Sequence, residues 1–305
     1  MLYLKVMSQK ISVVINTFNE EKNIEKVLNS VRWADEVLVC DMHSSDKTVE
    51  IAKKLGAKVI LYKQTGYVEP ARNFAISKAS GDWILVVDAD EEIPQTLVNK
   101  LKEIASHDEV NFVQIPRKNI IFGKWMRTAM WWPDYNIRFF KKGKVSWTNK
   151  IHRPPETEGQ GIKLDPLEEH AIVHHNYDSL SSFIIRMDRY TTIQAKELIL
   201  GGYKFDWTDI FTGPLGEFLS RFFANRGFED GLHGLALSFL QAFSFLVMYL
   251  KVWEREGFIQ KDLDLNEIEF VTNKEGRKLR YWFSQSNKSK NIFKTLIKKA
   301  KLKMS

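Results

Sequence analysis

Apolar and amphipathic segments alternate along the N-terminal part of the chain. Four short runs rich in β-branched and aromatic residues indicate buried strands, and three segments between them carry apolar residues at helical spacing. This β-α-β order predicts an α/β fold, a mostly parallel sheet with right-handed crossovers and helices on both faces. The predicted strands are 11–16, 36–40, 57–62 and 82–88, and the predicted helices are 20–31, 46–56 and 70–81.

Polar residues follow three of these predicted strands. In open α/β sheets, ligands bind beyond the carboxyl ends of the strands. A single acid there is readily explained as a turn or cap, and Asp46 is expected to be a helix N-cap. Three polar strand ends together predict a binding site. They are Asn16 to Glu20 after the first strand, Asp41 with Ser44 to Asp46 after the second, and Asp88 with Asp90 after the fourth.

The fourth strand ends in four carboxylates within five positions, residues 88–92, which would repel one another without partners. No G-x-G-x-x-G and no P-loop motif occurs in the sequence, so neither classical way of holding phosphates is supported. Asp88 and Asp90 could instead hold Mg²⁺ or Mn²⁺, since such ions take one or two carboxylates plus substrate phosphates. D-x-D alone is a weak motif, and it gains weight here from its place at a strand end.

Four segments together resemble family 2 glycosyltransferases of the GT-A fold. They are ISVVINTFNEEKNI (11–24), VCDMHSSDKTVEIA (39–52), ARNFAISKASGDWILVVDADE (71–91) and WWPDYNIRFFKKG (131–143). The likeness covers roughly residues 10–255 and is greatest to bacterial envelope transferases of the lipopolysaccharide core. It implies an inverting enzyme that moves a sugar from a nucleotide-sugar, by default a UDP-sugar, to a glycan or lipid-linked acceptor.

The resemblance implies a nucleotide pocket at the first two strand ends. Thr17, Phe18 and Glu20 would line the base and the ribose, and Asp41 would accept a hydrogen bond from the base ring. Arg72, at the start of the third predicted helix, would face the base or the diphosphate.

The same resemblance implies a metal site after the fourth strand. Asp88 would hold the ribose or a metal-bound water, and Asp90 would bind Mg²⁺ or Mn²⁺. His174 matches a family histidine that completes the metal shell, whereas His175 does not match. A divalent ion together with Arg72 would stabilise the charge that develops on the leaving diphosphate.

The general base that deprotonates the acceptor hydroxyl is expected within residues 122–156. Relatives carry a His-Glu pair where this chain has His152 and Arg153. The missing glutamate leaves three candidates open, which are His152, Asp134 and Glu156.

Tryptophans in the same segment predict an acceptor-binding surface. Trp131 and Trp132, with Trp125 and Arg127 nearby, offer large aromatic faces on which sugars can stack. The alternative is a hydrophobic plug beneath a lid. Loops placed by a rigid sheet commonly carry recognition, which favours acceptor binding by Trp131 and Trp132.

After residue 178 the alternating strand and helix pattern gives way to segments with a helical pattern. We therefore predict a catalytic domain over 1–178 and a helical, membrane-associating region over 179–305. Residues 231–250 carry no formal charge if His233 is neutral, and they are long enough to span a bilayer. Their polar residues favour a buried or interfacial helix instead.

The C-terminal tail and the cysteine content predict where the protein acts. Residues 284–305 hold seven lysines and no acid, and apolar residues within 291–304 recur at helical spacing. Such a basic amphipathic helix can lie on an anionic membrane surface, and no nucleic-acid motif accompanies it. The single cysteine, Cys40, and the lack of a signal peptide fit a cytoplasmic protein, peripheral on the inner face of the cytoplasmic membrane.

Two other classes remain open at this point. One is another metal-dependent nucleotidyl or phosphoryl transferase. Haloacid-dehalogenase-like phosphatases place their D-x-D after the first strand, and nucleotidyltransferases usually add a glycine-rich first loop, so neither pattern fits this chain. The other is a non-catalytic sugar-nucleotide-binding subunit, which the missing glutamate after His152 keeps open.

Overall fold

The computed structural model describes residues 9–64, 69–148 and 154–303, with the backbone alone for residue 69 and residues 287–303. The chain divides into two compact units. The first comprises Met1–Ile121 and Trp132–Asn176, and the second comprises Phe122–Trp131 and Tyr177–Ser305. Residues 122–131 thus group with the C-terminal helices. The domain boundary after residue 178 stays a prediction, because compactness does not show which segments fold independently.

The first unit is built on one mixed sheet whose strand order is β3-β2-β1-β4-β8-β6-β12-β5. Strands β3, β2, β1 and β4 run parallel, β8 is antiparallel to both β4 and β6, and β11 pairs with β6. A small separate sheet pairs β9 with β10. The strands are β1 Ile11–Thr17, β2 Glu36–Asp41, β3 Lys58–Leu61, β4 Trp83–Asp88, β5 Glu91–Glu92, β6 Phe112–Ile121, β7 Lys124–Trp125 (in the second unit), β8 Asp134–Lys141, β9 Val145–Ser146, β10 Glu156–Thr157, β11 Gly161–Lys163 and β12 Ile172–Tyr177.

Helices cover both faces of this sheet, and the predicted α/β class is confirmed. They are α1 Ile24–Ser30, α2 Thr48–Lys54, α3 Glu69–Lys78 and α4 Gln95–Ala105. Each of the first three is shorter than its predicted range. Asp46 lies one position before the cap residue Lys47, yet its Oδ1 accepts from the N–H of Thr48 at 3.0 Å, so its carboxylate still caps the start of α2.

Alternation along the strands distributes the core over the two faces. Val13 and Ile15 of β1 pack with α1, α2 and α4, whereas Val14 packs on the opposite face with α3. Every residue of β1 is buried, which explains its continuous apolar run. The same alternation places Asn16 and Asp88 on the face that α3 covers.

The second unit is helical, as predicted for the C-terminal region. Its helices are α5 Leu180–Leu200, α6 Asp209–Leu219, α7 Leu232–Arg255 and α8 Leu265–Lys303, with a π turn at Ser220–Ala224. Aromatic rings hold them together: Phe218 lies 4.5 Å from Phe239 of α7, and Phe223 lies 6.1 Å from Trp282 of α8, between ring centroids.

Helix α7 is the one described helix that is long and apolar enough to cross a membrane by length and composition. A core helix passes the same test, and 33% of the most apolar window of α7 is buried. Leu232, Phe239 and Phe243 are exposed along it. The preference for a buried or interfacial helix over a spanning one stays a prediction.

Candidate active site

The carboxyl ends of β2, β1 and β4 lie side by side. Thr17 of β1 is in register with Asp41 of β2, and Asn16 of β1 is in register with Asp88 of β4. Because these strands run parallel, the polar residues that follow them share one edge of the sheet, the edge at which such folds bind ligands. The structure therefore brings the three polar strand ends together.

Asp41 is fully buried and holds the loop that follows β2. Thr17 Oγ1 donates to its Oδ2 at 3.0 Å, and the N–H of Ser44 donates to its Oδ1 at 2.8 Å. Ser44 Oγ also donates to its Oδ2 at 2.5 Å. A carboxylate has about four lone-pair sites, so these three bonds leave capacity for one more donor. Hydrogen bonding of Asp41 to a base stays a prediction.

Phe18 and Glu20 lie in the turn between β1 and α1. Glu20 Oε2 accepts from Asn23 Nδ2 at 2.8 Å, and the Glu20 N–H donates to Thr48 Oγ1 at 2.8 Å. Phe18 is 39% exposed, which leaves its ring accessible for stacking. Both residues thus border the edge that holds Asp41, and their contact with a nucleotide stays a prediction.

Asp88 bridges two guanidinium groups. Arg72 of α3 donates from Nη2 to Oδ1 at 2.9 Å, and Arg138 of β8 donates from Nη2 to Oδ2. Burial alone would raise the pKa of Asp88, but the positive charges of Arg138 and Arg72 outweigh it and hold the pKa well below its usual range. Arg72 also lies over the ring of Trp147, 5.2 Å from its centroid. Asp88 is therefore ionised at neutral pH, and it fixes Arg72 in place.

The mutual repulsion of the four carboxylates of residues 88–92 is offset because each lies beside its own set of partners. Glu91 also accepts the N–H of Asp88 at 2.9 Å, which fixes the turn between the two aspartates. The pairs are Asp88 with Arg72 and Arg138, Asp90 with His174, Glu91 with Arg138 and Arg117, and Glu92 with Lys26 and His175.

Asp90 and His174 form the pair best suited to a metal ion. His174 Nε2 lies 3.5 Å from Asp90 Oδ2, and their side chains are 7% and 20% exposed. Two cis ligands of one Mg²⁺ lie about 3 Å apart, so a small shift would let both bind one ion. Among the described residues no group of three His, Cys, Asp or Glu side chains is placed to hold a metal. Diphosphate and water oxygens would have to complete the shell.

Asp134 lies directly opposite Arg117 in the β6–β8 pair. Arg117 donates to its Oδ2 from Nε at 2.9 Å and from Nη2 at 2.6 Å, and Asn119 Nδ2 donates to the same oxygen at 3.1 Å. Three donors on one oxygen leave that oxygen no room for the proton of an acceptor hydroxyl. This geometry favours a structural role for Asp134 over that of a base.

Of the other two base candidates, Glu156 lies within the described residues. Glu156 is exposed at the start of β10, in register with Ser146 of β9. His152 lies outside the described residues. The identity of the base stays a prediction.

Trp131 and Trp132 belong to different compact units, the second and the first. Within the second unit, the guanidinium of Arg221 lies 5.3 Å from the ring centroid of Trp131, and that of Arg127 lies 4.1 Å from the ring centroid of Trp125. These cation–π pairs fix the orientation of both rings. Acceptor binding by Trp131 and Trp132 stays a prediction.

Sequence reasoning missed the groups that hold the acids in place, namely Arg117, Asn119 and Arg138. Arg138 carried a usable signal, because a lone cation inside the apolar strand IRFF must meet a buried partner. Arg117 and Asn119 carried none, since their partners lie on other strands.

Several known proteins similar to this chain are named glycosyltransferases. Residues 12–158 match the family model described as glycosyl transferase family 2. An uncharacterized glycosyltransferase of Rickettsia typhi is 33% identical over 259 residues, which cover 81% of this chain and 87% of that protein. The chain belongs to glycosyl transferase family 2. The predictions that the protein is a family 2 member and that it is a glycosyltransferase are therefore confirmed.

Two further similarities to the family 2 enzyme are weaker. The lipopolysaccharide core biosynthesis glycosyltransferase LpsC of Rhizobium meliloti is 23% identical over 259 residues, which cover 81% of this chain and 93% of LpsC. The crystal structure of S. aureus TarS 1–349 has a TM-score of 0.43 at 15% identity, and the match covers 84% of this chain and 94% of that crystallised chain. A TM-score of this size supports no inference about donor, acceptor or metal.

Proposed function

We propose that this family 2 enzyme moves a sugar from a UDP-sugar to a glycan or lipid-linked acceptor of the cell envelope, with metal assistance and inversion. The observation that carries the proposal is the pairing of Asp90 with His174, 3.5 Å apart, beside an Asp88 that holds Arg72. Similarity to LpsC, a lipopolysaccharide core biosynthesis glycosyltransferase, supports an envelope acceptor.

The residues at the strand ends would have separate roles in binding the metal ion, the diphosphate and the nucleoside. Asp90 and His174 would hold Mg²⁺ or Mn²⁺, which when bound stabilises negative charge on a leaving diphosphate. Arg72, oriented by Asp88 and Trp147, would contact the diphosphate or the base. Phe18, with Thr17, Glu20 and Asp41, would line the base and the ribose.

Transfer itself would proceed by in-line attack. A base takes the proton of the acceptor hydroxyl, the oxygen attacks the anomeric carbon, and the bond from that carbon to the phosphate oxygen breaks. His152, Asp134 and Glu156 are the candidates for this base, and the three hydrogen bonds on Asp134 Oδ2 favour the other two. Transfer rates of His152→Ala, Asp134→Asn and Glu156→Gln would identify it, as loss of a general base costs roughly 10²–10⁴-fold.

A panel of nucleotide-sugars tests the proposed donor. With Mn²⁺ present, we expect a UDP-sugar to raise the melting temperature of the protein more than GDP-, ADP- or CMP-sugars do. Release of free UDP should then require an envelope glycolipid acceptor. A larger shift with another nucleotide would overturn the choice of UDP, and binding without release in the presence of acceptor extracts would favour a non-catalytic subunit.

Deletion of residues 284–305 tests the proposed binding to an anionic membrane surface. Trp282 and Phe283 pack against Phe223, so a deletion of residues 284–305 removes seven lysines and leaves these contacts in place. We expect this truncation to weaken binding to liposomes that contain anionic lipid and to reduce its salt sensitivity, since each lysine near such a surface contributes about 1 kcal/mol. Sedimentation with anionic and neutral liposomes measures both. Equal partitioning of the full-length and truncated proteins would contradict the proposal.

A further inference from the structure

A chain of side-chain hydrogen bonds leads from Asp134 to Asp90. Arg117 and Asn119 lie two residues apart on β6 and contact Asp134 of β8 from the same side. Asn119 is fully buried, and its other amide atom, Oδ1, lies 2.6 Å from Nδ1 of His174. The Nε2 atom of His174 in turn lies 3.5 Å from Asp90. All of these residues belong to the first compact unit.

The direction of this series of hydrogen bonds follows from the chemistry of Asp134, its first member. A carboxylate held by two N–H groups of Arg117 is acceptor-only. Asn119 must therefore turn its NH₂ group toward Asp134, which leaves its carbonyl oxygen facing the imidazole ring. A second amide, Asn176 Nδ2, lies 3.4 Å from the same oxygen and is also a donor. The orientation of Asn119 is thus determined from both sides.

The orientation of Asn119 fixes the tautomer of His174. Because Asn119 presents an acceptor, Nδ1 of His174 must carry the hydrogen. In the neutral ring, Nε2 then presents a lone pair to a carboxylate oxygen of Asp90. Two lone pairs at this distance repel each other unless a metal cation, or a proton on Nε2, lies between them. Metal-ligating histidines commonly donate their other ring N–H to a neighbouring acceptor, which is the role that Asn119 fills here.

We infer that Asn119 and Asp134 are positioning residues that hold His174 in the Nδ1–H tautomer, with Nε2 directed to the cation that Asp90 binds. This inference rests on the proposed metal-assisted function. It also gives Asp134 a task other than that of the base. A positioning role predicts that metal affinity changes with Asp134, whereas a base role predicts that only the transfer rate changes.

The test measures Mn²⁺ binding to the full-length protein by electron paramagnetic resonance of the free ion. Asn119→Ala and the shape-preserving Asp134→Asn are each expected to weaken Mn²⁺ binding about 10- to 100-fold, the usual effect of losing a partner of a ligating histidine. Asn136→Ala is the matched control, because Asn136 Nδ2 lies 3.2 Å from the other oxygen of Asp134 and has no part in the chain to His174. Its Mn²⁺ affinity should equal that of the wild type.

Nitrogen-15 NMR of histidine-labelled protein gives a readout that does not depend on activity. We expect a neutral His174 with its hydrogen on Nδ1, and an Nε2 signal that broadens on addition of Mn²⁺. A hydrogen on Nε2, or a doubly protonated ring paired with Asp90 at neutral pH, would overturn the inference. So would an Asp134→Asn variant that loses transfer but binds Mn²⁺ as the wild type does. If the wild type itself binds no Mn²⁺, the metal-assisted function fails instead, and the two failures are distinguishable.

Discussion

Replacing Asp90 with alanine is expected to abolish sugar transfer, and EDTA should reduce the wild type to the same level. Asp90 lies at the end of β4 beside His174, and these two are the described side chains best placed to hold a divalent ion. Such an ion contributes several kcal/mol to stabilising charge in the transition state. Since about 1.4 kcal/mol is a factor of ten in rate, the loss should be at least about 100-fold. Release of nucleoside diphosphate in the presence of donor, acceptor and Mn²⁺ measures it.

Glu92 provides a matched control for Asp90. It belongs to the same acidic cluster, but it pairs with Lys26 and His175. Glu92→Gln should therefore keep transfer and its dependence on Mn²⁺, while removing one negative charge from the same turn. Full activity of Asp90→Ala in metal-free buffer would falsify the assignment of the D-x-D pair to metal binding.

The parallel part of the sheet could be predicted because its signals are local. Residues 11–16 and 82–88 are continuous apolar runs, and such runs separated by amphipathic helices leave few topologies to consider. The convergence of Asp41, Asp88 and the first loop then follows from the parallel arrangement alone. For this reason the edge of the sheet that holds the candidate site could be located before any coordinates were known.

The partners of the acids could not be predicted, because they depend on the register between distant strands. Arg117 meets Asp134 only because β6 and β8 pair with these two residues directly opposite each other. A register shift between Val113 and Gln114 lies along the same pair, and no residue pattern predicts where such a shift occurs. A change of one position would turn Arg117 and Asn119 to the other face of the sheet.

The general base was predicted from the family resemblance rather than from a local residue pattern. The resemblance located a histidine, His152, whose usual acidic neighbour is Arg153 in this chain. The geometry favours a structural role for Asp134, since its Oδ2 already accepts three hydrogen bonds from Arg117 and Asn119. Transfer rates of variants at the three candidate positions assign the base.

Replacing Arg138 with methionine is expected to lower the free energy of unfolding by about 3–5 kcal/mol, the usual cost of removing one partner from a buried ion pair. Arg138 is 4% exposed, and its Nη2 donates to both Asp88 and Glu91. Methionine preserves much of the packing volume but leaves two carboxylates close together with less positive charge between them. Urea unfolding at neutral pH measures the loss. Lys141→Met is the control on the same strand, because Lys141 pairs with the exposed Asp108 and its loss should matter far less.

The pH dependence of the difference in unfolding free energy between the wild type and Arg138→Met identifies the cause of the destabilisation. The pKa of Asp88 is held below its usual range in the folded protein, mainly by Arg138 acting against the effect of burial. A lowered folded-state pKa adds stability that is present above the unfolded-state pKa, about 3.9, and that is lost as the pH falls below it. The variant lacks most of this contribution. The gap between wild type and Arg138→Met should therefore narrow as the pH falls below about 4. A gap that stays constant from neutral pH down to pH 3 would mean that lost packing, rather than the unpaired carboxylates, destabilises the variant.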